Sequence, residues 1–139
     1  MQHPVQILLI EDDEDDITFF ELALKKQSVP TRLTTLTDGD QVMAYLTTPS
    51  ATPDLMVLDL NLPRLPGREV LKQVKNSPNT QTLPVVVLST STASEDIDFC
   101  LANGADRFYT KPTTLAELVV IVTTLLASFG GQPNVPEAF

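Results

Sequence analysis

Residues 54–63 read Asp54-Leu55-Met56-Val57-Leu58-Asp59-Leu60-Asn61-Leu62-Pro63. The apolar part has no helical period, is built from Val, Leu and Met, and is closed by Asn and Pro. That is the pattern of a strand buried on both faces. It ends abruptly in a carboxylate, and carboxylates are rarely buried unless paired or bound to a metal. In open parallel α/β sheets, ligands bind outside the carboxyl ends of the strands. Asp59 is therefore the residue to explain, and the rest of the chain is read by what it brings there.

Upstream, Val5–Ile10 is another buried strand, and six acids in a row, from Glu11 to Asp16, follow its carboxyl end. Ile17, Phe20 and Leu24 recur at helical spacing and predict a helix over 13–27, with acids in its first turn and Lys25-Lys26 in its last to match the helix dipole. Thr31–Leu36 reads as a strand at a sheet edge. Asp38-Gly39-Asp40 is a turn that can cap a helix with Val42, Met43 and Leu46 inward. Downstream, Val70, Leu71 and Val74 mark a third helix, and 83–88 is a β-branched apolar strand. Ser94 is the expected N-cap of a fourth helix with Ile97, Cys100 and Leu101 inward, stopped at Asn103-Gly104. A short strand over 106–110 follows, and Thr113 is expected to cap a last helix reaching Phe129. Strand and helix thus alternate five times, which argues for an α/β fold: a doubly wound parallel sheet of five strands with helices on both faces. One domain, 1–129, accounts for the pattern; 130–139, with two prolines, reads as a flexible tail.

The composition narrows the function classes. A chain of 139 residues suits one domain with a proper core. The net charge is −9 and the nine basic residues are scattered, which argues against direct nucleic-acid binding. No apolar run approaches the roughly 18 residues needed to cross a bilayer. The start, Met1-Gln2-His3-Pro4, lacks the basic and apolar regions of a secretory signal. The single cysteine, Cys100, makes no demand for an oxidising compartment, so the cytoplasm is expected. Neither His3 nor Cys100 needs a functional reading: the first stands alone, the second on an apolar helix face.

The strand ends bring Glu11, Asp12, Asp59 and Ser89 to one edge of the sheet, with Lys111 just beyond the fifth strand. Two Asp and one Glu make a hard oxygen site of the kind that suits Mg²⁺. Mg²⁺ with a lysine is also a common way to neutralise a transferring phosphoryl group, and a carboxylate can itself be the nucleophile. Each residue has a plainer reading: a solvated helix start for Asp13 to Asp16, a loop serine, a surface lysine. At five-fold strand–helix register, the set is more specific than any member.

The blocks Ile-Leu-Leu-Ile-Glu-Asp-Asp (7–13), Leu-Asp-Leu-Asn-Leu-Pro (58–63), Pro-Val-Val-Val-Leu-Ser (84–89) and Tyr-Thr-Lys-Pro (109–112) fall in order on these strands. Through them the chain, from Val5 to about Phe129, resembles a receiver domain of a two-component response regulator. The resemblance implies a flavodoxin-like (βα)5 fold in which Asp59 accepts a phosphoryl group from a sensor histidine kinase. It implies Mg²⁺ on Glu11, Asp12, Asp59 and the backbone carbonyl of Asn61, with Ser89 and Lys111 on the phosphoryl oxygens. It also implies a cis Lys111–Pro112 peptide and a phosphoacceptor signalling protein rather than an enzyme, at most phosphorylating itself and slowly losing the group. The longer run 58–71 is similar to the small stand-alone regulators paired with cyanobacterial phytochromes, and on that resemblance no output domain is expected after Phe129. Two positions depart from the family pattern. The switch aromatic, often Tyr, is Phe108 here, so a switch must rest on packing, and Pro66 replaces the usual Asp or Asn before Gly67.

The last helix, 113–129, carries one charged residue, Glu117, and places Val120, Ile121 and Ala127 off its core stripe. Phe99 likewise falls outside the inner stripe of the fourth helix. A helix apolar most of the way round is buried or covered, so a homodimer or docking face is expected on the last helix with the fourth helix and fifth strand. Two other functions remain open on the residues: an unphosphorylated adaptor working through that helix, and an aspartyl-phosphate phosphatase. Against the second, position 61 is Asn where such phosphatases usually carry an acid.

Overall fold

A computed structural model describes residues 3–130. Five strands, β1 (Val5–Ile10), β2 (Thr31–Leu36), β3 (Leu55–Leu58), β4 (Val85–Ser89) and β5 (Arg107–Thr110), alternate with five helices. The helices are α1 (Glu14–Lys25), α2 (Val42–Leu46, preceded by a 3-10 turn), α3 (Gly67–Lys75), α4 (Ser94–Ala102) and α5 (Leu115–Phe129). All strand pairs are parallel, in the order β2-β1-β3-β4-β5. The doubly wound five-stranded sheet expected from the alternation is present. So is the edge position of β2, whose Thr-rich residues are only half covered, whereas every residue of β3 and β4 is buried.

Side chains alternate across the pleat and divide the core in two. Ile7, Leu9, Val57, Val86 and Leu88 face α1 and α5, meeting Phe20, Leu24, Leu118, Val122 and Leu125. Leu8, Ile10, Met56, Leu58 and Val87 face the other way, against Val42, Val70, Leu71, Val74 and Cys100. Both faces are covered, which leaves the ends of the strands accessible, and the carboxyl ends of β1 and β3 are where Glu11, Asp12 and Asp59 stand. The chain reverses its winding between β1 and β3, and the crevice there is where such sheets bind ligands.

Several local expectations are corrected. Thr114, not Thr113, caps α5: its extended backbone (φ −124°, ψ 150°) lets its hydroxyl accept the Glu117 N–H. Ser94 lies inside α4 and caps nothing; Ala93 precedes the helix, and Ser91 Oγ accepts the Ala93 N–H and donates to Asp96 instead. Asp38 gives no side-chain cap to the 3-10 turn, because its carboxylate pairs with Arg64 at 2.6 Å. Arg64 takes a left-handed backbone (φ 65°) in the loop after β3. On α4, Leu101 is not inward but 48% exposed, whereas Phe99 packs on the core and lies under the Arg68 guanidinium at 4.2 Å. Asn103 and Gly104, the latter at φ 98°, end α4 as expected. Cys100, wholly buried, faces the core. Among the described residues no peptide bond is cis, so Lys111–Pro112 is trans, the intrinsically preferred isomer. The expected tail lies, beyond Gly130, outside the described residues, and no helix among them is long and apolar enough to cross a membrane.

Candidate functional site

The strand ends deliver the acids to one place. One carboxylate oxygen from each of Glu11, Asp12 and Asp59 lies within 4.8 Å of the others. Glu11 and Asp12 follow β1, and Asp59 follows β3, which is paired directly to β1 with Ile10 opposite Leu58. Adjacent parallel strands ending in register therefore bring the acids together. The Asp59 N–H donates to the Ile10 carbonyl at 3.0 Å, fixing the start of the loop. Gly67 supports it from below: a Cβ there would fall on the Asp59 carbonyl oxygen, so only glycine lets α3 begin this close. Pro66 stands just before, in an extended conformation (φ −59°, ψ 152°) that suits its ring.

Asp59 is 5% exposed. Its Oδ2 lies 3.4 Å from Lys111 Nζ, and its Oδ1, buried, has no hydrogen-bond partner among the described residues. A buried polar atom left unpaired costs stability, and such an atom beside two further carboxylates fits a hard divalent cation. Asp12 is exposed and Asn61 lines the same open cleft, together with Thr90, Asp16 and Lys111. The residues present thus fit Mg²⁺.

Lys111 reaches back over this edge. Its ammonium contacts Glu11 Oε1 at 2.8 Å and Asp16 Oδ2 at 2.7 Å, closer than Asp59. Burial works against its charge, but the hydrogen bonds to Asp16 and Glu11 and the charge of Asp59 outweigh it and raise its pKa further above the usual lysine value. Burial pushes the Glu11 carboxyl up to about 7, the Lys111 hydrogen bond pulling against it and the Asp59 charge adding to the rise.

Ser89 is the last residue of β4 and fully buried. Its Oγ accepts a long bond (3.4 Å) from the Ser91 N–H, which leaves the hydroxyl proton free for another acceptor. Its carbonyl accepts the Lys111 N–H at 2.7 Å, tying the ends of β4 and β5 together. Phe108 is half-buried and packs on the α3/α4 side of the sheet; Tyr109, next to it, packs on the α1/α5 side.

The sequence-predicted residues Glu11, Asp12, Asp59, Asn61 and Lys111 line one cleft; Ser89, fully buried at the end of β4, does not line it, though Thr90 beside it does, and Phe108 lies on β5 opposite Val87. Two members were not anticipated. Asp16 does more than solvate a helix start: it holds Lys111. Asp13 in the same acidic run is the α1 N-cap, accepting the Asp15 and Asp16 N–H groups at 2.9 and 3.1 Å. Thr90, exposed after β4, lines the cleft; no spacing in the sequence singles it out.

Comparison with known proteins places the sequence and the fold among relatives. The response regulator Rcp1 of Synechocystis sp. (strain ATCC 27184 / PCC 6803 / Kazusa) is 36% identical over 124 residues, covering 86% of this chain and 84% of Rcp1. The crystal structure of the phosphorylated cyanobacterial phytochrome response regulator RcpA superposes with a TM-score of 0.86 at 36% identity, covering 97% of this chain and all (100%) of that one. The Mn²⁺-bound form of Rcp1 gives a TM-score of 0.83 at 33% identity, covering 96% and 100%. Residues 7–123 match the profile of the response regulator receiver domain, and the chain belongs to that family.

Proposed function

We propose that this protein is a single-domain response regulator. Asp59 accepts a phosphoryl group from the phosphohistidine of a sensor histidine kinase in a Mg²⁺-dependent reaction, and the product signals by protein–protein contact. The observation that carries this reading is the Asp59 carboxylate, buried at a strand end with one oxygen unpartnered, between two further acids and a lysine. Glu11, Asp12, Asp59 and the Asn61 carbonyl would hold Mg²⁺, which would supply charge neutralisation for the transferring group.

The chain's own residues do the rest. An Asp59 oxygen bonds to phosphorus as the bond from phosphorus to the imidazole nitrogen breaks and its electron pair leaves with the histidine. Lys111 is protonated across the working pH range and balances the added charge. The Ser89 hydroxyl turns its free proton to a phosphoryl oxygen. Phe108, on the Ser89 side of β5, passes that movement to α4 by packing. The protein is the acceptor, catalysing at most its own phosphorylation from a small donor and slow hydrolysis of the acyl phosphate. The likeness to RcpA and Rcp1 supports a phytochrome as the kinase, and the expected compartment is the cytoplasm. Self-association on α5 with α4 and β5 belongs to the same reading, on exposed apolar residues such as Val120 (64%) and Leu101.

Intact mass after incubation with Mg²⁺ and acetyl phosphate tests the chemistry. A gain of one phosphoryl group is expected, absent without Mg²⁺ and in Asp59→Asn. No gain in a folded protein that binds Mg²⁺ overturns the assignment.

A further inference from the structure

We infer that Asp16 is a positioning residue that keeps the Lys111 ammonium over the cleft when a metal ion takes the other carboxylates that grip it. The inference rests on the phosphoacceptor reading above. An ammonium has three donor hydrogens, and Lys111 offers them to three carboxylates: Asp16 at 2.7 Å, Glu11 at 2.8 Å and Asp59 at 3.4 Å. Glu11 and Asp59 belong to the acidic triad that fits a divalent cation; Asp16 does not. A hard cation draws carboxylate oxygens to itself, directly or through its waters. The lysine's shortest contact is thus the one the metal does not contest.

The contact is built rather than incidental. Asp16 is the third residue of α1, and its N–H is held by the Asp13 cap at 3.1 Å. The Lys111 side chain is only 13% exposed, against 40% for Asp16. The lysine therefore cannot replace a lost partner readily with water, while the aspartate sits at the rim of the cleft. Without Asp16 the ammonium leans on Glu11 and Asp59, competes with the metal for them, and is left loosely placed once the metal wins.

The test compares Asp16→Asn with Asp15→Asn, an exposed acid on the same turn that controls for loss of charge. Both are made in the full chain and again in a Lys111→Met background, so that a double-mutant cycle isolates the contact. Calorimetry with Mg²⁺ alone gives the affinity; acetyl phosphate at saturating Mg²⁺ gives the phosphorylation rate. With Lys111 present, Asp16→Asn lowers both about ten-fold more than Asp15→Asn does, the usual loss for a partner of a metal-site residue. With Lys111→Met the two substitutions become equivalent, and Asp16→Glu, which keeps the carboxylate in reach, recovers most of the loss. In the wild-type chain, proton exchange from the Lys111 ammonium, followed by NMR, stays slow when Mg²⁺ is added. Equal effects of Asp16→Asn and Asp15→Asn, an undiminished Asp16→Asn effect in Lys111→Met, or fast exchange on adding Mg²⁺ overturns the role. Calorimetry and exchange need no phosphodonor, so a wild-type chain that fails to phosphorylate counts against the function and leaves the Asp16 assignment to these two measurements.

Discussion

Glu11 holds its proton unusually tightly because it is buried, and that has a measurable consequence. In the unfolded chain its carboxyl returns to the ordinary value of 4.5, whereas in the folded chain it is raised to about 7. Between these values the folded state binds a proton that the unfolded state does not, so stability falls as pH rises. The stabilisation is fully present below pH 4.5 and lost as the pH passes about 7. Without metal, the melting temperature is expected to drop by several degrees from pH 5.5 to 8, measured against Glu11→Gln, which should lack this component (about 3–5 °C per kcal/mol for a domain of this size). Mg²⁺ needs the ionised carboxylate, so its affinity is expected to rise over the same window, read by calorimetry with proton release. At this scale the site was legible where a residue had no local excuse. Glu11, Asp59 and Lys111 stand at strand ends, where packing gives no reason for a charge. Asp16 was not legible, because an acid in the first turn of a helix is already explained by the dipole. Nothing in the spacing announces a lysine 95 residues later.

Helix caps decide where the elements begin, and here the sequence reading went astray by small steps with identifiable causes. Thr113 and Thr114 are equally good caps by residue type; only the extended backbone of Thr114 aims a hydroxyl at the Glu117 N–H. Thr114→Ala is expected to cost about 1 kcal/mol, the typical value for a lost cap, and Thr113→Ala much less, both by chemical denaturation. The start of α4 has a different logic. Ser91, Asp96 and Arg68 form a chain of bonds at 2.6 and 2.7 Å that runs from the loop after Ser89 to α3, with the guanidinium lying over Phe99. That arrangement covers an aromatic ring which helical periodicity alone put outside the core, and it turns Leu101 to solvent. The Asp96 carboxyl, hydrogen-bonded by Ser91 and then by Arg68, is held below the usual aspartate range. Its contribution to stability is therefore present above that range and lost as the pH falls through the lowered value.

For the molecule as a whole, alternation of strands and helices dictated parallel pairing but not which strands lie centrally. That information was in the residue types: unbroken apolar runs in β3 and β4, Thr-rich character in β2. The outer face of α5 poses the remaining question at this scale, since it carries one charge, Glu117, while Val120 is largely exposed. A self-associating chain is expected to sediment as a monomer–dimer mixture at tens of micromolar, shifted toward monomer by Val120→Glu; one monomeric species, with and without phosphoryl group, counts against the dimer. The net charge of −9 opposes close approach of two copies, so association should strengthen with added salt. Finally, the single cysteine makes the protein its own chronometer. Cys100 lies on the core face of α4, wholly buried, and burial pushes its thiol up and out of its reactive form. A thiol reagent can label it only during an opening of that helix. The labelling rate thus times how often α4 lifts from the sheet, and a faster rate in the acetyl phosphate-treated chain would report, without any engineered probe, that the signal at Asp59 has reached α4.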